Sequence, residues 1–296
     1  MPALVRRLSR TDHVTGWALV SPAVVLIGIF GLLPVVMSLR LSFQKSDLLT
    51  PETPWVGFDN YKKLADDPVF VEAIKHTIVY TALFVPGTML VGLFVAAALN
   101  RSVRFISVYR TAAYITMAVS TISQGIIFLW LTDRDYGLVN AGLKAVGVGP
   151  QAFLASPSQA LYVIVAMTIW GWTGFSVIVY LAALQGVPPE LHEAAAIDGA
   201  SAFTRFRTIT VPLLGPANLF LLVWLTINAL QLFDEVYATT KGGPLRATTV
   251  IVYYLWDRAF VQFDAGYAAA MAYALFVVIL VITAVQFRLA RRQVIS

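Results

Sequence analysis

The chain has no cysteine and only three histidines in 296 residues. Disulfides and thiolate-bound metals are thereby excluded, and His13, His76 and His192 are too scattered to gather a metal site. Charge is scarce as well. Asp, Glu, Lys and Arg make up 12% of the chain against 58% hydrophobic residues, and the mean hydropathy is +0.76. A soluble globule carries about twice that share of charge. Three catalytic patterns are also missing: the phosphate-binding G-x-x-x-x-G-K-[ST], the G-x-S-x-G nucleophile elbow and the zinc-binding H-E-x-x-H. Nothing here converges into a catalytic set, which argues against a membrane-embedded enzyme.

What the chain has instead is six charge-free apolar runs, each about as long as a bilayer core requires of a helix. They are Trp17–Leu39, Thr77–Leu99, Thr111–Leu131, Leu161–Leu184, Leu213–Phe233 and Ala265–Phe287. In lipid only helices or closed barrels satisfy their backbone hydrogen bonds, and uninterrupted apolar runs lack the alternation of a barrel strand. The expected fold is an all-α integral membrane protein with six transmembrane helices, forming one domain over residues 1–296. The first run follows three arginines, as a signal peptide would, but it is too long for an ordinary signal core and is expected to stay as a helix.

Basic residues set the orientation. With the N-terminus inside, the inner segments carry eleven basic residues (Arg6, Arg7, Arg10, Arg101, Arg104, Arg110, Arg205, Arg207, Arg288, Arg291, Arg292) to four acidic ones. The outer segments carry ten basic residues to twelve acidic. Both termini are therefore expected in the cytoplasm. The positive charge flanks spans rather than forming a domain, so it reads as topology and not as a nucleic-acid surface.

Between the fourth and fifth runs, at about 186–212, lies a polar insert. There Glu193-Ala194-Ala195 is followed after three residues by Gly199, and after nine more by Ile209-Thr210-Val211-Pro212. Pro188-Pro189 opens a short helix to Asp198, Glu190 suits its first turn, and Gly199 suits a left-handed cap. Asp198 is misplaced for the helix dipole, so Arg205 or Arg207 is expected to compensate it. Ser201 is expected to cap a second helix reaching Thr210, with Pro212 bending the chain into span five. The Glu-Ala-Ala to Pro spacing resembles the EAA loop of permease subunits in binding-protein-dependent ABC importers. Trp55–Tyr61, Leu232–Tyr237 with Gly242-Gly243-Pro244, and Gly266–Ala270 resemble the carbohydrate-uptake branch, of the maltose and glycerol-3-phosphate permease type.

That resemblance implies the type I ABC importer permease fold and the membrane-spanning subunit of an ATP-driven importer in a prokaryotic inner membrane. It implies a second, homologous permease as heterodimer partner, two ATPase subunits that bind ATP and Mg, an extracytoplasmic solute-binding protein, and no cofactor on this chain. Glu193, Ala194, Ala195, Asp198 and Gly199 would couple to the ATPase. The solute would be a sugar or a glycerol-phosphate-type compound such as a glycerophosphodiester, moved by alternating access. An ATP-independent secondary transporter or channel is the alternative, but it calls for charged relay residues that the six runs lack.

Polar side chains inside the runs mark the expected substrate path. Trp224, Asn228, Gln231 and Glu235 are spaced to form one helical stripe, combining a ring to stack on with amides that can bond hydroxyls. Gln124, with Ser120 and Ser123, and Trp172, near Trp170 and Thr173, are further candidates. The competing reading of Asn228 and Gln231 is packing between helices.

Overall fold

A computed structural model of the protein describes residues 10–47, 52–101 and 104–294. Arg6 and Arg7, counted above for orientation, lie outside them.

The first run becomes α1 (Arg10–Ile27) and α2 (Leu33–Ser42), continuous through a π-helical turn at Gly28–Leu32. A short α3 (Asp59–Asp66) follows. α4 (Pro68–Leu99) begins as its sequence indicates: the Asp67 carboxylate accepts from the N–H groups of Val69 and Phe70, and Pro68 sits where no N–H is required. The third run is bent rather than straight, because α5 (Ile106–Ala118) and α6 (Thr121–Leu131) meet at 100°. Val119 is extended at the break and Ser120 caps α6 through the N–H of Ser123, so the helix stops and restarts inside one apolar run.

After α7 (Leu138–Ala145) comes α8 (Ala160–Gln185), a single unbroken span. The polar insert holds α9 (Pro189–Ile197), α10 (Ala202–Arg205) and α11 (Val211–Leu213), with a π-helical turn at Phe206–Thr210 between the last two. α12 (Gly215–Leu230) leaves that arm at a 65° bend. Then follow α13 (Asp234–Thr239), α14 (Ile251–Trp256) and the long α15 (Ala265–Val294). The six apolar runs thus become four single helices and two bent pairs. The bend into span five falls at Leu214 and not at Pro212. Pro212 lies in the helical arm just after the π-helical turn at Phe206–Thr210, and Pro216 fits the first turn of α12, where no N–H is required.

α8 is the hub, with α4, α5, α6 and α12 packed on it. Their shared core buries Tyr80, Phe84, Ile164, Met167, Val177, Leu221 and Leu225. Backbones approach closely where small residues meet: a Cβ on Gly92 of α4 would lie 2.5 Å from that of Ser176 on α8. α4 and α5, joined by a short connection, touch, but each packs more extensively on α8.

A second core joins the start of α4 to α3, α14 and α15. There the Tyr254 and Tyr267 hydroxyls both donate to Asp67 at 2.7 Å, and Arg258 lies 3.7 Å away. Burial pushes the Asp67 carboxyl up, but bonds from the two tyrosines and from the N–H groups of Phe70 and Val69 outweigh it and hold the group below its ordinary value. The first span is different. Its most apolar stretch is not buried at all, and α2 is its packed part, lying on α15 with the Tyr273 hydroxyl donating to the Val35 carbonyl. So long an apolar face suits lipid or another membrane chain rather than water.

Candidate functional site

Two sites are joined through the bent arm α10–α11 and the helix α12. The first is α9 and its cap. Pro189 opens the helix and Glu190 lies in its first turn. At the other end Asp198 is the C-cap and Gly199 takes φ +80°. The Ala200 N–H reaches the Ala195 carbonyl at 2.9 Å and the Gly199 N–H reaches that of Ala196 at 3.1 Å, the paired bonds of a Schellman motif. Space is not what selects glycine, because a Cβ there would meet nothing within 4 Å; the positive φ is.

Glu193, Ala194, Asp198 and Gly199 are exposed on this element, Ala195 partly so, and Ile197 is 87% exposed. The expected compensation of Asp198 by Arg205 is not formed: Arg205 Nη1 donates instead to the His192 carbonyl at 3.2 Å, tying α10 back to α9. Among the described residues Asp198 has no ion pair within reach, and solvent at the exposed helix end makes that tolerable. Ser201 does cap α10, accepting from the Thr204 N–H at 3.2 Å. Behind α9 is a cavity of about 550 Å³ bounded in part by Arg101, His192 and Arg205, so the helix stands off from the bundle.

From this loop α12 runs about 24 Å, at 1.5 Å per residue over its length, to the second site. The helix stops at Leu230. Its last turn tightens, with the N–H groups of Gln231 and Leu232 bonding three residues back to Asn228 and Ala229, and Gln231 leaves helical geometry at ψ 16°. α13 then starts afresh with Asp234 and Glu235 in its first turn, where acids are favoured. The single stripe expected from Trp224 to Glu235 is therefore broken. Asn228, Gln231 and Glu235 still meet, because the break folds α13 back against α6 and closes a cavity of about 250 Å³.

Trp172 of α8 and Tyr80 and Phe84 of α4 form its aromatic walls, and Thr121 of α6 and Asp234 complete the polar lining. The Asn228 side chain donates to the Trp224 carbonyl at 2.8 Å, which leaves its oxygen free to accept. Burial pushes the Glu235 carboxyl up to about 7; a bond from its own N–H opposes this and the neighbouring Asp234 charge adds to it.

Two expected path residues lie elsewhere. Trp224 is absent from the cavity lining; its ring stacks on Phe220 and meets Phe175 at a tilt. Gln124 is buried in the packing: its Nε2 donates to the Val119 carbonyl at 2.9 Å, stapling the break between α5 and α6, and its amide fills the space beside Gly171. Sequence reasoning missed Tyr80 and Thr121. Tyr80 is an isolated hydroxyl in the second run, and Thr121 follows the Ser120 cap; neither is distinguishable by pattern from an ordinary packing residue.

Residues 88–295 match the family described as binding-protein-dependent transport system inner membrane component. The chain is 35% identical over 292 residues to the lactose transport system permease protein LacF of Rhizobium radiobacter, covering 97% of both chains. It is 32% identical over 284 residues to the sn-glycerol-3-phosphate transport system permease protein UgpA of Agrobacterium fabrum, covering 96% of this chain and 97% of that one. In structure it is similar to a chain of a bacterial ABC transporter involved in the import of the acidic polysaccharide alginate, with a TM-score of 0.83 and 25% identity over 93% of this chain and 94% of the other. The chain belongs to this family. It is a multi-pass membrane permease subunit of an ABC importer with the type I fold.

Proposed function

We propose that this permease works as a single transmembrane domain forming half of a translocation path for a sugar or glycerol-phosphate-type solute. A second, homologous permease forms the other half, two ATPase subunits bind ATP and Mg and carry out hydrolysis, and an extracytoplasmic solute-binding protein delivers the solute. The chain lies in the inner membrane with both termini and α9 on the cytoplasmic side. That placement rests on the surplus of basic residues in the segments assigned there.

One observation carries the proposal. The bent arm α10–α11 and the helix α12 link an exposed, capped helix, built on Glu193, Ala194, Ala195, Asp198 and Gly199, to a polar, aromatic-walled cavity at Asn228, Gln231 and Trp172. A partner that moves α9 moves the arm α10–α11, and α12 conveys the displacement to the helix break that closes the cavity. Alternating access follows when that motion exposes the cavity first to one side and then to the other. Trp224 and Gln124 do not line this cavity.

The test is reconstitution of the four-subunit complex in proteoliposomes, with labelled sugars and the solute-binding protein outside and ATP inside. Uptake is expected only with both ATP and the binding protein. Uptake that persists without the ATPase subunits would replace this reading with an ATP-independent transporter or channel. In the same complex, reporters placed after Gly199 and Gly243 are expected on the cytoplasmic and outer sides respectively; the reverse would detach α9 from the ATPase.

A further inference from the structure

The cavity at the end of α12 has carboxyl and amide groups in its lining and no cation. The six apolar runs contain no Lys or Arg that could turn into it either. Glu235 is the group that stands out. It is half-buried, it lines the cavity, and among the described residues its carboxyl has neither an ion pair nor a side-chain donor; its own backbone N–H is the group that bonds it. Its place in the first turn of α13 explains why an acid is tolerated there, but an acid serving only the helix dipole gains nothing from lining a cavity.

A desolvated carboxyl left without a donor is costly, and a ligand that supplies one removes that cost. Sugar hydroxyls can do so, and they can also bond the free oxygen of Asn228 and the amide of Gln231 while a pyranose face packs on Trp172. Phosphate, sulfonate and carboxylate groups are wholly or mostly ionised at neutral pH and offer acceptors rather than donors. They would set like charge against exposed Asp234 and against the ionised form of Glu235, which burial already disfavours and a second anion would disfavour further.

We infer that Glu235 is a charge filter, and that the cavity selects an uncharged polyhydroxy solute over its phosphorylated or otherwise anionic counterparts. This rests on the cavity being the substrate path, as proposed above, and it narrows the solute class from sugar or glycerol phosphate to uncharged sugar.

The experiment uses the assembled complex in nanodiscs, held in its nucleotide-bound state with vanadate and titrated calorimetrically. The probes are uncharged mono- and disaccharides, each paired with its 6-phosphate. Wild type is expected to bind at least one sugar roughly tenfold or more tightly than the matching phosphate. Glu235→Gln should reduce that ratio severalfold, mainly by improving phosphate binding, and Glu235→Asp should preserve it. A purely structural role for Glu235 would weaken both members of a pair alike and leave the ratio unchanged. The Asn228→Ala/Gln231→Ala double variant separates the two failures. If it binds every probe as wild type does, the cavity is not the path and the reading beneath this inference falls. If it weakens sugar binding while Glu235→Gln leaves the ratio intact, the path stands and the charge filter is wrong. Wild-type phosphate affinity equal to that of the sugars, or no binding of any sugar, also overturns the filter.

Discussion

Gly199 and Gly171 lie near opposite ends of the linked sites and are required for opposite reasons. At Gly199 a side chain would meet nothing, yet the backbone sits at φ +80°, which only glycine adopts freely. At Gly171, inside α8, the backbone is ordinary helix, but a side chain would collide with the amide of Gln124. The first constraint is conformational and local, and it leaves an exposed surface vacant for a partner. The second is steric and distant, and it exists only because α6 and α8 are already packed. A loop specified locally can be rigid before its partner arrives. A cavity specified by packing can change shape when the packing shifts, as the proposed translocation path requires.

The largest expected effect breaks the first of these constraints. A β-branched residue is strongly disfavoured at positive φ, by roughly 1–2 kcal/mol or more, so Gly199→Val should unwind the paired bonds from Gly199 and Ala200. Uptake should fall to background and binding-protein-stimulated ATPase activity should be lost, while solute affinity in the cavity is kept. Wild-type uptake in a purified Gly199→Val complex would show that the cap geometry is not what the ATPase reads.

A smaller effect is expected at the cavity. Each hydrogen bond to a neutral ligand is worth roughly 0.5–1.5 kcal/mol, so Asn228→Ala with Gln231→Ala should weaken solute binding by about 5- to 150-fold. Complex yield and basal ATPase rate should change little, because Asn228 bonds only within its own helix and Gln231 has no side-chain partner among the described residues. Packing as the true role of these residues would show itself as poor assembly with undiminished affinity in whatever complex forms.

The same contrast explains how much could be read from the chain beforehand. α9, its glycine cap and the Ser201 cap are all written in neighbouring residues, and each has its expected form. The apolar runs likewise identify the spans by length and composition. The breaks inside those runs could not be seen, because apolar residues satisfy a bent helix pair as well as a straight one. Extrapolating a helical period through Gln231 therefore joined Trp224 to Glu235 in a stripe that the chain does not make, although Asn228, Gln231 and Glu235 share the cavity by another route. Tyr80 and Thr121 enter that cavity from α4 and α6, and nothing in the sequence around them records it.

Two serines with nearly the same geometry allow the finest comparison. Ser120 (φ −63°, ψ 148°) caps α6 through the Ser123 N–H at 3.3 Å, and Ser201 (φ −63°, ψ 159°) caps α10 through the Thr204 N–H at 3.2 Å. Each also bonds the hydroxyl three residues on, at 3.0 Å and 2.8 Å. Removing either hydroxyl should cost about 1 kcal/mol locally, so the chemical perturbation is matched and only its location differs. Ser201→Ala loosens the arm between α9 and α12 and should lower the solute moved per ATP hydrolysed, with little change in solute affinity. Ser120→Ala loosens the start of α6, where Thr121 meets the cavity, and should lower affinity severalfold at unchanged coupling. Measuring affinity and transport stoichiometry on both variants gives a crossed pattern if the loop and the cavity are separable. Identical profiles would mean that the break at Ser120 and the cap at Ser201 move as one unit, and the division of labour between the loop and the cavity would have to be abandoned.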